Sequence, residues 1–98
     1  MGKLKHKTLT ATGVVSTAGK TSRLIEANFI GLTAGDKLEI KDGGTGGAVQ
    51  FTLPVSAYGQ ARLGPFARQD GPVFLTDIYG TITKTTSGWA NFVFEELE

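Results

Sequence analysis

The first residues that suggest a chemistry are Gly19, Lys20 and Thr21, which match the end of a phosphate-binding loop. Such a loop also needs a glycine five residues before Gly19, and that position holds Val14. The loop binds phosphate because a strand leads into it and a helix follows, so that backbone N–H groups converge on the anion. Here a β-rich segment follows, and the pattern therefore predicts a polar turn.

The acidic residues and the single histidine do not form a catalytic or calcium-binding pattern. His6 lies among lysines, without the orienting carboxylate that a catalytic base requires. Asp36, Glu39 and Asp42 lack the spacing of an EF-hand loop, and lysines are interleaved with them. We expect these three carboxylates on the exposed face of a strand.

Two further aspartates are predicted to form turns. Asp70 precedes Gly-Pro, and Asp77 lies at an expected bend, so neither is favoured as a general acid or base. The chain has no cysteine, and with one histidine it has few ligands for zinc. We therefore predict no catalytic residues, no metal, no cofactor and no enzymatic activity.

Basic and aromatic side chains are the candidates for a binding surface. They are Lys3, Lys5, Lys7, Tyr58, Arg62, Arg68 and Trp89. The alternating N-terminal lysines would point the same way from an extended arm, which suits an acidic partner and also deters pairing between strand edges. Trp89 follows Ser-Gly and is either a core residue or a ligand anchor, and we prefer the core.

The two ends of the chain carry opposite charge. The start is rich in lysine, and the sequence closes with Glu95-Glu96-Leu97-Glu98. These charges either pair within one chain, link neighbouring subunits or aid solubility, and the sequence leaves all three alternatives open.

Composition limits the class of protein. The chain has 98 residues, a formal net charge of +1, 40% hydrophobic and 19% charged residues, which indicates one globular domain. The near-zero net charge argues against nucleic acid as a partner. The N-terminus lacks the apolar run of a secretory signal and no stretch is long enough to span a membrane, so we expect cytoplasmic synthesis and no membrane partner.

Alternating apolar residues interrupted by glycine favour strands throughout. Residues 23–30 alternate in this way, although Leu24 and Ile25 are also compatible with a short helix, and we prefer a strand. Residues 36–41 and 48–53 predict a β-hairpin around Asp42-Gly43, with Val49, Phe51 and Leu53 facing inward.

The remaining elements complete an all-β fold. Residues 60–66 predict an edge strand because they include Pro65. Residues 73–85 predict two short strands or one strand bent at Thr76-Asp77, and residues 89–94 form the last strand. The spacing of turns indicates an antiparallel β-sandwich, jelly-roll-like or Ig-like, of seven to eight short strands. We assign residues 1–8 to a basic arm and 9–98 to the sandwich.

The order of several segments resembles the small accessory virion proteins of tailed bacteriophages. These segments are Thr12–Val15, Arg23–Ile25, Leu38–Gly44, Phe51–Pro54, Asp70–Phe74 and Ile78–Thr83. The resemblance covers most of the chain and implies a compact β-sandwich that decorates or stabilises a capsid. It also implies location in the virion after synthesis in the host cytoplasm.

This resemblance implies a structural protein whose partners are itself and a capsid or other virion protein. Symmetric particles suit closed homo-oligomers, and a trimer is the state that we expect. The alternative is a carbohydrate-binding or host-adhesion module, which would stack sugars on Tyr58, Tyr79 or Trp89.

Overall fold

A computed structural model of the chain describes residues 4–31, 35–55, 59–67, 70–84 and 88–97. Within these ranges all regular structure is strand, and no helix could span a membrane. The strands are β1 (Leu4–Leu9), β2 (Gly13–Val14), β3 (Ser22–Gly31), β4 (Lys37–Asp42), β5 (Ala48–Pro54), β6 (Gly59–Leu63), β7 (Val73–Phe74), β8 (Ile78–Thr83) and β9 (Gly88–Glu96). The predicted antiparallel sandwich is confirmed. There are nine strands instead of seven to eight, because residues 4–9, most of which were assigned to an arm, form the additional strand β1.

Two antiparallel sheets form the sandwich. The first sheet has the order β1-β9-β3-β6, and β7 pairs with the opposite end of β3 from β6. The second sheet has the order β2-β8-β4-β5. The long strand β3 therefore has two different neighbours on one side, which divides the first sheet into two halves.

Side chains from both sheets meet in a single core. Its largest fully buried members are Phe29, Phe74, Phe92, Leu24, Leu38, Ile40 and Ile78. Gly80 makes room for this packing, because a Cβ there would lie 2.7 Å from Leu9 Cδ1 and 3.4 Å from Phe92 Cζ. Burial of these apolar side chains is the main favourable contribution to folding.

The predicted hairpin is confirmed as β4 and β5. Leu38 lies opposite Leu53, and Ile40 lies opposite Phe51, as expected from the alternation. The prediction for Val49 was wrong: it is exposed and lies opposite Lys41, because the register shifts at Gln50. Such a bulge turns the following side chain to the other face of the sheet.

The other predicted strands are also present. Residues 23–30 lie in β3 rather than in a helix, with a register shift around Ile25. β6 is an edge strand, and Pro65 follows it instead of lying within it. The segment from residue 73 forms two short strands, β7 and β8, separated by the expected bend.

Residues 4–8, which we assigned to an arm, lie in β1 and are hydrogen-bonded to β9. All but Leu9 of β1 is exposed. Leu9 is also the one residue of β1 that belongs to the buried core cluster. β1 is therefore part of the sandwich but extends beyond the core.

Candidate functional site

Two of the predicted binding residues, Lys5 and Lys7, lie on the side of β1 that faces the sandwich interior. Lys5 lies opposite Phe94 and Lys7 opposite Phe92, and both phenylalanines are buried. Directly opposed residues share a face of the sheet. Inward-pointing charges on an edge strand discourage pairing with another edge, so these lysines protect β1.

Lys5 also forms an ion pair between the two ends of the chain. Its Nζ donates to Glu96 Oε1 at 2.8 Å, and the backbone N–H of Thr17 donates to Glu96 Oε2 at 2.8 Å. These hydrogen bonds, that from Lys5 first, lower the pKa of Glu96 to about 2. The opposite charges near the two ends of the chain could pair within one chain, link subunits or aid solubility, and the Lys5–Glu96 contact is a pair within one chain.

The other two described candidates, Trp89 and Arg62, lie on the outer face of the first sheet. The preferred interpretation of Trp89 as a core residue was wrong, since 40% of it is exposed. Arg62 lies opposite Asn28 on β3, and its Nε is 3.3 Å from Glu26 Oε2.

The remaining predicted candidates do not join this face. Tyr79 alternates with the buried Ile78 and Gly80, so it lies on the outer face of the second sheet and cannot share a site with Trp89. Lys3, Tyr58 and Arg68 lie outside the described residues.

A ladder of uncharged polar side chains crosses the outer face beside Trp89. We define the amide ladder as Thr8, Asn91, Asn28 and Gln60, which come from β1, β9, β3 and β6 in that order. Thr8 Oγ1 donates to Asn91 Oδ1 at 2.8 Å, and Gln60 Nε2 donates to Asn28 Oδ1 at 2.6 Å. Asn28 and Asn91 are directly opposite each other. The flanking donors therefore fix the orientation of both central amides.

The other half of the same face carries exposed aliphatic side chains around Glu95 and Arg23. We define the apolar end as Leu4, Val73, Leu75 and Leu97, which are 46%, 43%, 71% and 37% exposed. Leu4 and Val73 flank Glu95 and Arg23 in one row across the sheet. A second row, beside the first, consists of Leu97, Thr21 and Leu75. Leu97 N donates to Thr21 O, and Thr21 Oγ1 donates to Leu75 O.

Glu95 lies at the centre of the apolar end, between Leu4 and Arg23. It is buried, with only 4% of its surface exposed. Scattered exposed apolar residues need no explanation, but four on two adjacent rows of one sheet face indicate an interaction surface. With strands about 4.8 Å apart, the first row spans roughly 14 Å.

Two aspartates hold the loop that presents Leu75 and the neighbouring loop that follows β4. The Asp42 carboxylate accepts hydrogen bonds from the backbone N–H groups of Leu75 and Thr76, both at 2.9 Å. Asp77 Oδ1 accepts from the N–H groups of Gly43 and Gly44, at 3.3 and 3.1 Å. Both glycines have positive φ, which few other residues adopt. Each aspartate thus holds the loop that carries the other.

This arrangement corrects one prediction and confirms another. Asp36 and Asp42 were expected among exposed charges, but Asp36 is buried and Asp42 caps the loop before β8. Asp77 does lie at the predicted bend. Within the described ranges, no group of three or more His, Asp or Glu side chains is placed to hold a metal ion.

The Gly-Lys-Thr segment and His6 are the two remaining residues or motifs for which a chemical role was considered. Lys20 N donates to Thr17 O, so Gly19 and Lys20 lie in a turn that leads into β3, and the predicted turn is confirmed. His6 is exposed on β1, opposite Val93.

Sequence reasoning missed both halves of the outer face. Asn28 alternates with Ala27 and Phe29, and Asn91 alternates with Ala90 and Phe92, and this alternation was the available signal. What it did not show is that these two residues, far apart in the chain, are opposite each other. Leu75 and Leu97 lie beyond strand ends, where alternation carries no information.

Comparisons with known proteins bear on the fold. No protein-family model matches the chain, and no curated protein matches it. One similar solved structure is of Bacillus endospore appendages, described as "a novel family of disulfide-linked pili". It aligns over 100% of this chain and 88% of that chain, with a TM-score of 0.51 and 12% sequence identity. At this identity the likeness supports a β-sandwich fold of the same kind.

Proposed function

We propose that this chain is a non-enzymatic structural subunit of a multi-copy particle, which associates with its own copies as a symmetric oligomer. The observation that carries the proposal is the apolar end, where four exposed aliphatic side chains lie on two adjacent rows of one sheet face, around the buried Glu95 and the half-buried Arg23. Burying such a surface between subunits is favourable by about 25 cal/mol per Å² before the costs of association.

The setting of this assembly comes from two resemblances. The order of sequence segments implies a tailed-phage capsid, which the subunit would decorate or stabilise, and the trimer is the state that fits that setting. The solved neighbour belongs to an appendage described as disulfide-linked. This chain has no cysteine, so its contacts would have to be non-covalent.

Multi-angle light scattering over a range of protein concentrations tests the proposal. We expect a defined oligomer, and we expect Leu75→Lys to shift it to monomer because the new charge would be buried in the contact. Thr52→Lys is the matched control, since it adds the same charge to an exposed position on β5. A wild-type monomer at every concentration would contradict the proposal.

The capsid setting has its own test. Purified protein mixed with undecorated phage capsids should co-sediment with them, because many weak contacts on one shell act together. If wild-type protein forms an oligomer but binds no capsid at any salt concentration, the assembly remains and the capsid setting is wrong.

A further inference from the structure

We infer that the amide ladder and Trp89 form a binding site for a neutral saccharide. This inference does not depend on the proposed assembly, which uses the other half of the face.

The ladder presents oriented donors. The Oδ1 atoms of Asn28 and Asn91 each accept a hydrogen bond from a flanking side chain. An amide whose oxygen is fixed by one neighbour has its nitrogen fixed as well, and each Nδ2 carries two hydrogens. Because the two asparagines are directly opposite each other, their Nδ2 groups lie at the middle of the ladder. A ligand with closely spaced oxygen acceptors would find these donors already in position.

Trp89 supplies an apolar surface next to these donors. It is two residues from Asn91 on the same strand and the same face, so the two side chains are separated by roughly 7 Å along the strand. It lies opposite Ile30, which is half-buried on the same face, and 40% of Trp89 is exposed. An exposed aromatic side chain stacks well against the C–H face of a sugar ring.

The charges around the ladder favour a neutral ligand. The ladder itself contains no ionisable group, and the nearest charges, Arg62 and Glu26, are paired with each other. A nucleic acid or sulfated sugar would require unpaired positive charge on this face. Uncharged hydroxyl and ring oxygens fit the donors without such a requirement.

The single tryptophan of the chain makes this site directly observable. Titrating the full chain with neutral hexasaccharides of glucose, mannose and N-acetylglucosamine, at up to millimolar concentrations, should change the fluorescence of Trp89 for at least one series. An array that also carries sulfated sugars provides the comparison. Absence of any change, or binding restricted to the sulfated sugars, would overturn the inference.

Substitutions then test each part of the site. Asn28→Asp and Asn91→Asp keep an acceptor for Gln60 and Thr8 but remove the Nδ2 donors, and we expect each to weaken binding about tenfold. Trp89→Ala should abolish binding measured by calorimetry. Tyr79→Ala is the matched control, because it removes an aromatic side chain from the outer face of the other sheet, and it should bind like the wild type. Unchanged affinity in both aspartate variants would overturn the inference even if Trp89→Ala lost binding.

Discussion

The two halves of the outer face of the first sheet share three strands but have opposite chemistry. β1, β9 and β3 run through both halves, while the fourth strand is β6 beside the amide ladder and β7 beside the apolar end. The ladder is held by side-chain hydrogen bonds between neighbouring strands. The apolar end depends on carboxylates that hold loops and strand ends. One sheet face can therefore carry two independent surfaces, each with its own structural support.

Of the changes considered, removing the Asp42 carboxylate should reduce stability the most, and it should affect the apolar end but not the amide ladder. In Asp42→Ala the N–H groups of Leu75 and Thr76 lose a charged acceptor, and we expect a loss of about 2–3 kcal/mol in the free energy of unfolding. Chemical denaturation measures this loss. Because the loop presents Leu75, self-association should weaken too, while saccharide binding at the ladder should not change.

The control for this variant is Asp70→Ala, which removes a carboxylate from an exposed turn and should alter stability by less than about 0.5 kcal/mol. The independence of the two halves would be disproved if Asp42→Ala lost saccharide binding as well.

Acid should loosen the apolar end before the ladder. The pKa of Glu96 is about 2, lowered from 4.5 in an unfolded chain, mainly by the hydrogen bond from Lys5. The stabilisation is therefore fully present above about pH 5 and is lost as the pH falls toward 2. We expect it to be at most about 2 kcal/mol, since Lys5 is half exposed and its charge is screened by solvent.

Hydrogen exchange followed by mass spectrometry at pH 7 and pH 3 measures where this loss occurs. Protection should fall first around Thr17 and in the first residues of β1, whereas the strand centres that carry the ladder should remain protected. Glu96→Gln is the control, because it cannot titrate and should remove this part of the pH dependence. An identical dependence of unfolding on pH in the variant and the wild type would show that Glu96 is not the cause.

Thr8→Val should have the smallest effect. It removes one exposed hydrogen bond to Asn91, and we expect about 0.5 kcal/mol, or roughly 2–4 °C in Tm. The side-chain NH₂ resonances of Asn91 should shift because its orientation is released, while those of Asn28 should not. Unchanged Asn91 resonances would mean that Thr8 does not fix that amide, and light scattering of the same variant should show unaltered self-association.

The local alternation of residues determined much of the fold but little of either surface. The hairpin of β4 and β5 followed from Asp-Gly between two alternating runs, because turn chemistry and period two act over a few residues. Val49 and Trp89 were misplaced for different reasons. Val49 is turned outward by a bulge at Gln50, and Trp89 occupies the solvent-facing side of a strand whose facing partners were unknown.

The sequence by itself determined an all-β chain with short antiparallel strands, because side-chain periodicity and glycine-rich turns are local properties. Its alternation also put Asn28 and Asn91 on the strand faces opposite those of Phe29 and Phe92. Only the tertiary structure decided that these two amides lie opposite each other, that Leu4 and Leu75 lie at the same end of the face, and that Asp42 holds the loop before β8. Each of these contacts joins residues distant in the chain, and such pairings depend on sheet order and register.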